Sequence, residues 1–121
     1  MRKLAVSQLQ DHHRGPTFTS VLPGHVVQRG GFRVYAQPGF RTHDEPGRHV
    51  HTVPEVFVIV QGSGVIEIEG AEVDKFEAGE AIVFEPGEDH HLISRGADPL
   101  VFTWMHLEPV APESVTPESA E

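Results

Sequence analysis

Glycine and proline break the chain at short intervals, and the runs between them are apolar and β-branched, the rhythm of an all-β protein. These runs predict strands at HVVQ from His25, FRVYAQ from Phe32, EVFVIVQ from Glu55, VIEIE from Val65, EAIVFE from Glu80, HHLIS from His90 and LVFTWMHL from Leu100. The interior carries no convincing helical periodicity. In the run at Val65, Ile66 and Ile68 face one way and Val65, Glu67 and Glu69 the other, the alternation of a half-buried outer strand. The run VFVIV within EVFVIVQ does not alternate, so it belongs inside a two-layer structure, with core on one side and a covering element on the other. Many short strands, close turns and one continuously apolar strand predict a β-sandwich or barrel of the jelly-roll kind.

A chain of 121 residues is about one domain's worth. Its expected organisation is an N-terminal segment over 1–24, partly strand, a barrel over 25–108, and an acidic tail over 109–121. That tail, PVAPESVTPESAE, has proline, serine and acids without an aromatic residue, and is expected to be disordered unless a partner subunit holds it. The net charge of −9 comes with no basic stripe, which disfavours nucleic acid as a partner. Without cysteine there are no disulfides, thiolate metal sites or thiol nucleophiles. The first residues hold no apolar stretch long enough for a signal peptide or a membrane span, so a soluble, cytoplasmic protein is expected.

Against that background, PGRHVHTVPEVFVIVQGSG from Pro46 is unusual, because an apolar run is entered through two histidines and a glutamate. On a strand, His49 and His51 project from one face, and Glu55 shares their parity if the bend at Pro54 preserves direction. A third imidazole is available in GEAIVFEPGEDHHLIS from Gly79, where a strand and a Pro86-Gly87 turn lead to His90. Imidazoles with a carboxylate suit manganese, iron, cobalt, nickel, copper or zinc as divalent ions. The absence of thiols argues against a closed structural zinc site.

These two segments resemble the motifs of the cupins, small β-barrels of jelly-roll type. The first motif, H-x-H, three residues, E, six residues, G, is met by His49, His51, Glu55 and Gly62. The second, G, five residues, P-x-G, two residues, H, three residues, N, is met at Gly79, Gly87 and His90. Only 16 residues, Ser63 to Ala78, separate them, similar to small microbial single-domain members, and the resemblance spans roughly Phe32 to Leu107. Three positions depart from the pattern: His43 stands for the opening glycine, Glu85 for the first proline and Ser94 for the terminal asparagine.

Carried over by position, the resemblance implies His49, His51, Glu55 and His90 as ligands of one divalent transition metal. Four protein ligands on an ion that accepts six leave two positions for water, substrate or dioxygen. The expected function is a metal-dependent enzyme, of dioxygenase or isomerase type, acting on a small polar substrate chelated at the metal. The alternative is a non-catalytic, metal-anchored module for binding or sensing a small molecule or sugar, since cupins include dioxygenases, isomerases, decarboxylases, sugar-binding proteins and sensors. His43, Tyr35 and His106 are candidates for an acid–base group, Tyr35 sharing a strand face with Arg33 and Gln37. His91 falls on the opposite face from His90 and reads as packed or superficial, while His12, His13 and His25 carry no expected role. Exposed edge strands, together with the resemblance, imply a homodimer.

Overall fold

A computed structural model describes residues 1–9, 21–37, 39–42 and 50–110. His12, His13, His43, His49 and the tail from 111 lie outside the described residues. The strands are β1 (Arg2–Ala5), β2 (His25–Tyr35), β3 (Glu55–Gln61), β4 (Ser63–Ile68), β5 (Ala71–Glu77), β6 (Glu80–Phe84), β7 (His90–Ser94) and β8 (Leu100–Pro109). One 3-10 turn, Val6–Gln8, follows β1, and no described helix is long and apolar enough to cross a membrane. The strands form two antiparallel sheets, β1-β6-β3-β8-β2 and β5-β4-β7, giving the all-β jelly-roll barrel that the pattern predicts.

The apolar run of β3 is buried on both faces because its two faces serve different clusters. Phe57 and Ile59 point into the barrel with Ile66, Phe76, Ile82, Phe84, Leu92, Leu100 and Phe102. Val56 joins Val21, Val83 and Leu107 in a second cluster, against which Leu4, Leu9, Leu22, Val58 and Met105 pack. Leu9, Val21 and Leu22, from before β2, thus supply the cover that the non-alternating run requires.

The structure departs from the sequence pattern at two elements, β2 and β5. HVVQ and FRVYAQ are parts of one eleven-residue strand, β2, which passes through Gly30-Gly31 and absorbs a register shift between Val27 and Arg29. β5 has no apolar alternation, since only Phe76 is buried among its seven residues. It is paired to β4 through a tight Glu69-Gly70 turn with positive φ at both residues, 52° and 82°. Gly70 takes this conformation freely; Glu69 is held there by its N–H on the Asp89 carbonyl at 2.8 Å. β1 pairs with β6, and the ammonium group of Lys3 lies 3.3 Å from Asp74 and 3.4 Å from Glu80.

The register of the larger sheet determines which side chains share the cavity. Arg29 pairs with His106, His106 with Glu55, and Glu55 with Phe84, so one row crosses β2, β8, β3 and β6. The next inward row is Gly31, Trp104, Phe57 and Ile82, followed by Arg33, Phe102 and Ile59. The ligand-type side chains therefore occupy the first row, and aromatic packing, joined by Arg33, the two behind it.

Candidate metal centre

Glu55 opens β3 immediately after Pro54, whose carbonyl accepts from Leu107 N–H at 3.0 Å. Four residues earlier, the His51 carbonyl accepts from Gly87 N–H at 3.0 Å, joining the segment before β3 to the turn before β7. Glu85 stands where the cupin pattern has proline, and it retains an N–H, which the Glu88 carboxylate accepts at 2.6 Å. His90 then begins β7 with its ring stacked on Phe84, centroids 4.0 Å apart and planes 6° off parallel.

Glu55 is the centre of the cluster, buried with 3 % exposure. Its Oε1 lies 2.5 Å from His90 Nε2 and 3.5 Å from His51 Nε2, and its Oε2 lies 2.8 Å from His106 Nε2. Donor atoms of His51, Glu55 and His106 all fall within 4.8 Å of one another, so on distance alone these three can hold a metal ion. His51 faces both other rings, with centroids 4.4 Å from His106 and 5.8 Å from His90. Of the residues singled out in the sequence, the structure thus brings together His51, Glu55, His90 and His106, while His49 and His43 lie outside the described residues.

Burial alone would push the Glu55 carboxyl up, but hydrogen bonding and charge from His90, with further help from His51 and His106, hold it below the usual carboxylate range. Burial pushes His51 down, the opposing attraction of Glu55 being smaller, and His106, His90 and Arg29 lower it further. Each shift favours the form that a cation needs: an ionised carboxylate and a neutral imidazole.

The outward nitrogens complete the picture. His90 Nδ1 donates to the Glu88 carbonyl at 3.2 Å, leaving both its nitrogens facing oxygen acceptors. Such a ring satisfies the two oxygens only with a cation or a second proton at Nε2. An imidazole whose other N–H is anchored on a carbonyl is the usual arrangement of a metal-binding histidine. On His106, Nδ1 instead accepts from Arg29 Nε–H at 3.1 Å.

A cavity of about 120 Å³ opens beside these groups, lined by Arg33, Tyr35, Thr42, His51, Glu55, Phe57, Phe102, Trp104 and His106. Arg33 lies over the Tyr35 ring at 5.2 Å, and Tyr35 stacks on Phe102 at 5.9 Å. The strand face left open by the sequence is therefore fixed for Arg33 and Tyr35: it is the cavity face. Arg33 and His106 are the wall residues that sequence reasoning undervalued, because their place depends on cross-strand register. His91 is buried but belongs elsewhere, with Nδ1 2.5 Å from the Thr42 carbonyl and Nε2 3.0 Å from Asp89. Of its two expected environments, packed applies.

Two antiparallel sheets enclosing an inward His/Glu cluster beside a small cavity define a compact double-sheet barrel with a candidate metal pocket. The chain belongs to the cupin family: the Cupin_2 (cupin domain) family matches residues 32–106. Members bind small molecules, and many hold a metal ion. Among solved structures, it is similar to a Cupin 2 conserved barrel domain protein from Salinispora arenicola, at 21 % identity and TM-score 0.54 over 88 % of this chain and 86 % of the other. A predicted oxalate decarboxylase from Thermotoga maritima is similar at 24 % identity and TM-score 0.56 over 69 % and 68 %. The Cupin_2 domain of an XRE family transcriptional regulator from Enterobacter cloacae follows at 20 % identity and TM-score 0.53 over 67 % and 81 %. These likenesses establish a shared fold. No curated protein gives a significant match in sequence.

Proposed function

We propose that the protein is a metal-dependent enzyme acting on a small polar molecule, of dioxygenase or isomerase type, with His49, His51, Glu55 and His90 as the metal ligands. The observation that carries this reading is the Glu55 cluster, above all His90, whose Nδ1 is anchored on a carbonyl and whose Nε2 faces the buried carboxylate at 2.5 Å. When bound, the ion would supply Lewis acidity or, if redox-active, oxygen chemistry. The chain's own residues hold Glu55 ionised, keep His51 neutral and line the cavity with Arg33 and Tyr35, a wall suited to an oxygen-rich substrate.

The test is to measure metal content, reconstitute the metal-free protein with each candidate ion and add small carboxylates, diketones and sugars, following oxygen uptake and product. About one ion per chain is expected. His51→Ala should weaken metal binding more than about a hundredfold, beyond what losing an outer partner of a ligand costs. His91→Ala should leave binding nearly unchanged, since that ring contacts Thr42 and Asp89. Dioxygenase turnover needs a redox-active ion, whereas isomerase turnover persists with zinc. Ligand binding without turnover for any ion would replace the enzyme with a metal-anchored binding module.

A homodimer completes the proposal. Phe32 and Val34, on the face of β2 opposite Arg33 and Tyr35, are 60 % and 56 % exposed, and Val60 on β3 is 55 % exposed. An apolar group of this kind on a sheet ending in an eleven-residue edge strand suits a second copy of the same chain.

A further inference from the structure

Distance groups His51 and Glu55 with His106, whereas the motif spacing groups them with His90. The hydrogen bonds on the far side of each ring separate them, a step that rests on the metal reading above. A neutral imidazole carries one proton, so the partner of one nitrogen determines what the other can do. The Glu88 carbonyl can only accept, so His90 keeps a proton on Nδ1, and its Nε2, facing Glu55 Oε1 at 2.5 Å, is the nitrogen that a cation takes in place of a second proton. Arg29 reverses this on His106. A guanidinium has only donors and does not deprotonate in proteins, so the Nδ1 it contacts at 3.1 Å must be an acceptor. The proton of His106 then sits on Nε2, directed at Glu55 Oε2, 2.8 Å away.

We propose that His106 is not a metal ligand but a fixed N–H donor in the cavity wall, its tautomer set by the Arg29 donor on one side and the Glu55 acceptor on the other, serving Glu55 or an oxygen atom of a molecule that enters beside the ion. The placement follows from the sheet, because Arg29, His106 and Glu55 are successive partners across β2, β8 and β3. His106 and Arg33 line the same cavity, so the molecule they favour presents carboxylate or carbonyl oxygens rather than only aliphatic surface. Arg29 is accordingly a positioning residue, acting through the ring it orients.

The experiment uses the full chain with zinc as a closed-shell probe. Two-bond proton–nitrogen NMR correlations at mildly alkaline pH report which ring nitrogen of each histidine carries the proton. In both metal-free and zinc-loaded wild type, His106 should show the Nε2–H form, and zinc-loaded His90 the Nδ1–H form. Calorimetric zinc titration should give a His106→Gln affinity within a few-fold of wild type, against a loss beyond about a hundredfold for His90→Ala, more than removing an outer partner costs. In zinc-loaded Arg29→Met, Glu55 Oε2 still holds the Nε2 proton of His106, but the Nδ1 resonance should move downfield toward that of an unbonded acceptor nitrogen. An Nδ1–H form of His106 in zinc-loaded wild type, or a His106→Gln loss as large as that of His90→Ala, would overturn the proposal. An Nδ1 resonance of His106 unchanged in Arg29→Met would remove Arg29 from it. If wild type takes up no zinc, the metal reading fails separately, and the metal-free spectrum still decides the His106 tautomer.

Discussion

Glu55 meets an imidazole at each oxygen while nearly sealed from water, and its ionisation ties the site to the stability of the barrel. His51 is held below its ordinary value, so at mildly acid pH the unfolded chain binds a proton there that the folded chain resists. Stability of the metal-free protein therefore drains away as pH falls below about 6.5, the unperturbed histidine value, until the folded His51 also titrates. Glu55 acts in the same direction lower down, its contribution being full above the ordinary carboxylate value and lost as pH falls through its depressed folded one. Denaturant unfolding from neutral to acid pH should show wild type losing more stability than His51→Gln just below pH 6.5. Equal slopes would mean that His51 is not desolvated. At this scale, His51 and Glu55 were legible because strand parity and motif spacing are local. His106 was not, since it lies 51 residues from Glu55 and reaches it only through the pairing of β3 with β8.

Among the elements, β2 shows how a glycine pair misleads a pattern reader. Gly30-Gly31 looked like a break between strands, yet the strand continues through it and gives the indole of Trp104 its room. A Cβ on Gly31 would stand 2.6 Å from Trp104 Nε1, closer than any side chain permits without displacing the ring. Gly31→Ala should cost about 1–3 kcal/mol, the usual range for overpacking, and reshape the cavity that Trp104 lines. Thermal unfolding checks the first effect and ligand affinity the second; a neutral substitution would mean that the ring moves freely. β5 was hidden for a different reason: apart from Phe76 its residues face solvent, so backbone pairing to β4 rather than side-chain burial makes it a strand. The strongly buried strands β3, β6, β7 and β8 were readable, as was β4 from the alternation of its half-buried run.

For the molecule as a whole, the outer face of the larger sheet is dressed unevenly. Leu9, Val21 and Leu22 cover it around Val56, Val83 and Leu107, whereas Phe32, Val34 and Val60 stand exposed. Light scattering should therefore give a mass twice the 13.3 kDa of the chain, and Phe32→Asp should return it to the single-chain value. A wild-type monomer across a wide concentration range would leave that apolar group without the proposed partner. Jelly-roll class was readable from strand rhythm and the cupin motifs, but the partition of the outer face depends on which strands neighbour one another, and no local pattern encodes that.

Trp104 is the only tryptophan in the chain, and its ring centroid lies 5.1 Å from that of His106. The protein thus carries its own optical gauge of the pocket. Intrinsic fluorescence, with no background from a second indole, should be strongly quenched by an open-shell ion such as copper or nickel through electron or energy transfer. Closed-shell zinc should leave it bright, so occupancy can be followed in real time without a label. An emission that ignores copper while metal analysis finds the ion bound would place the ion away from the Glu55 cluster.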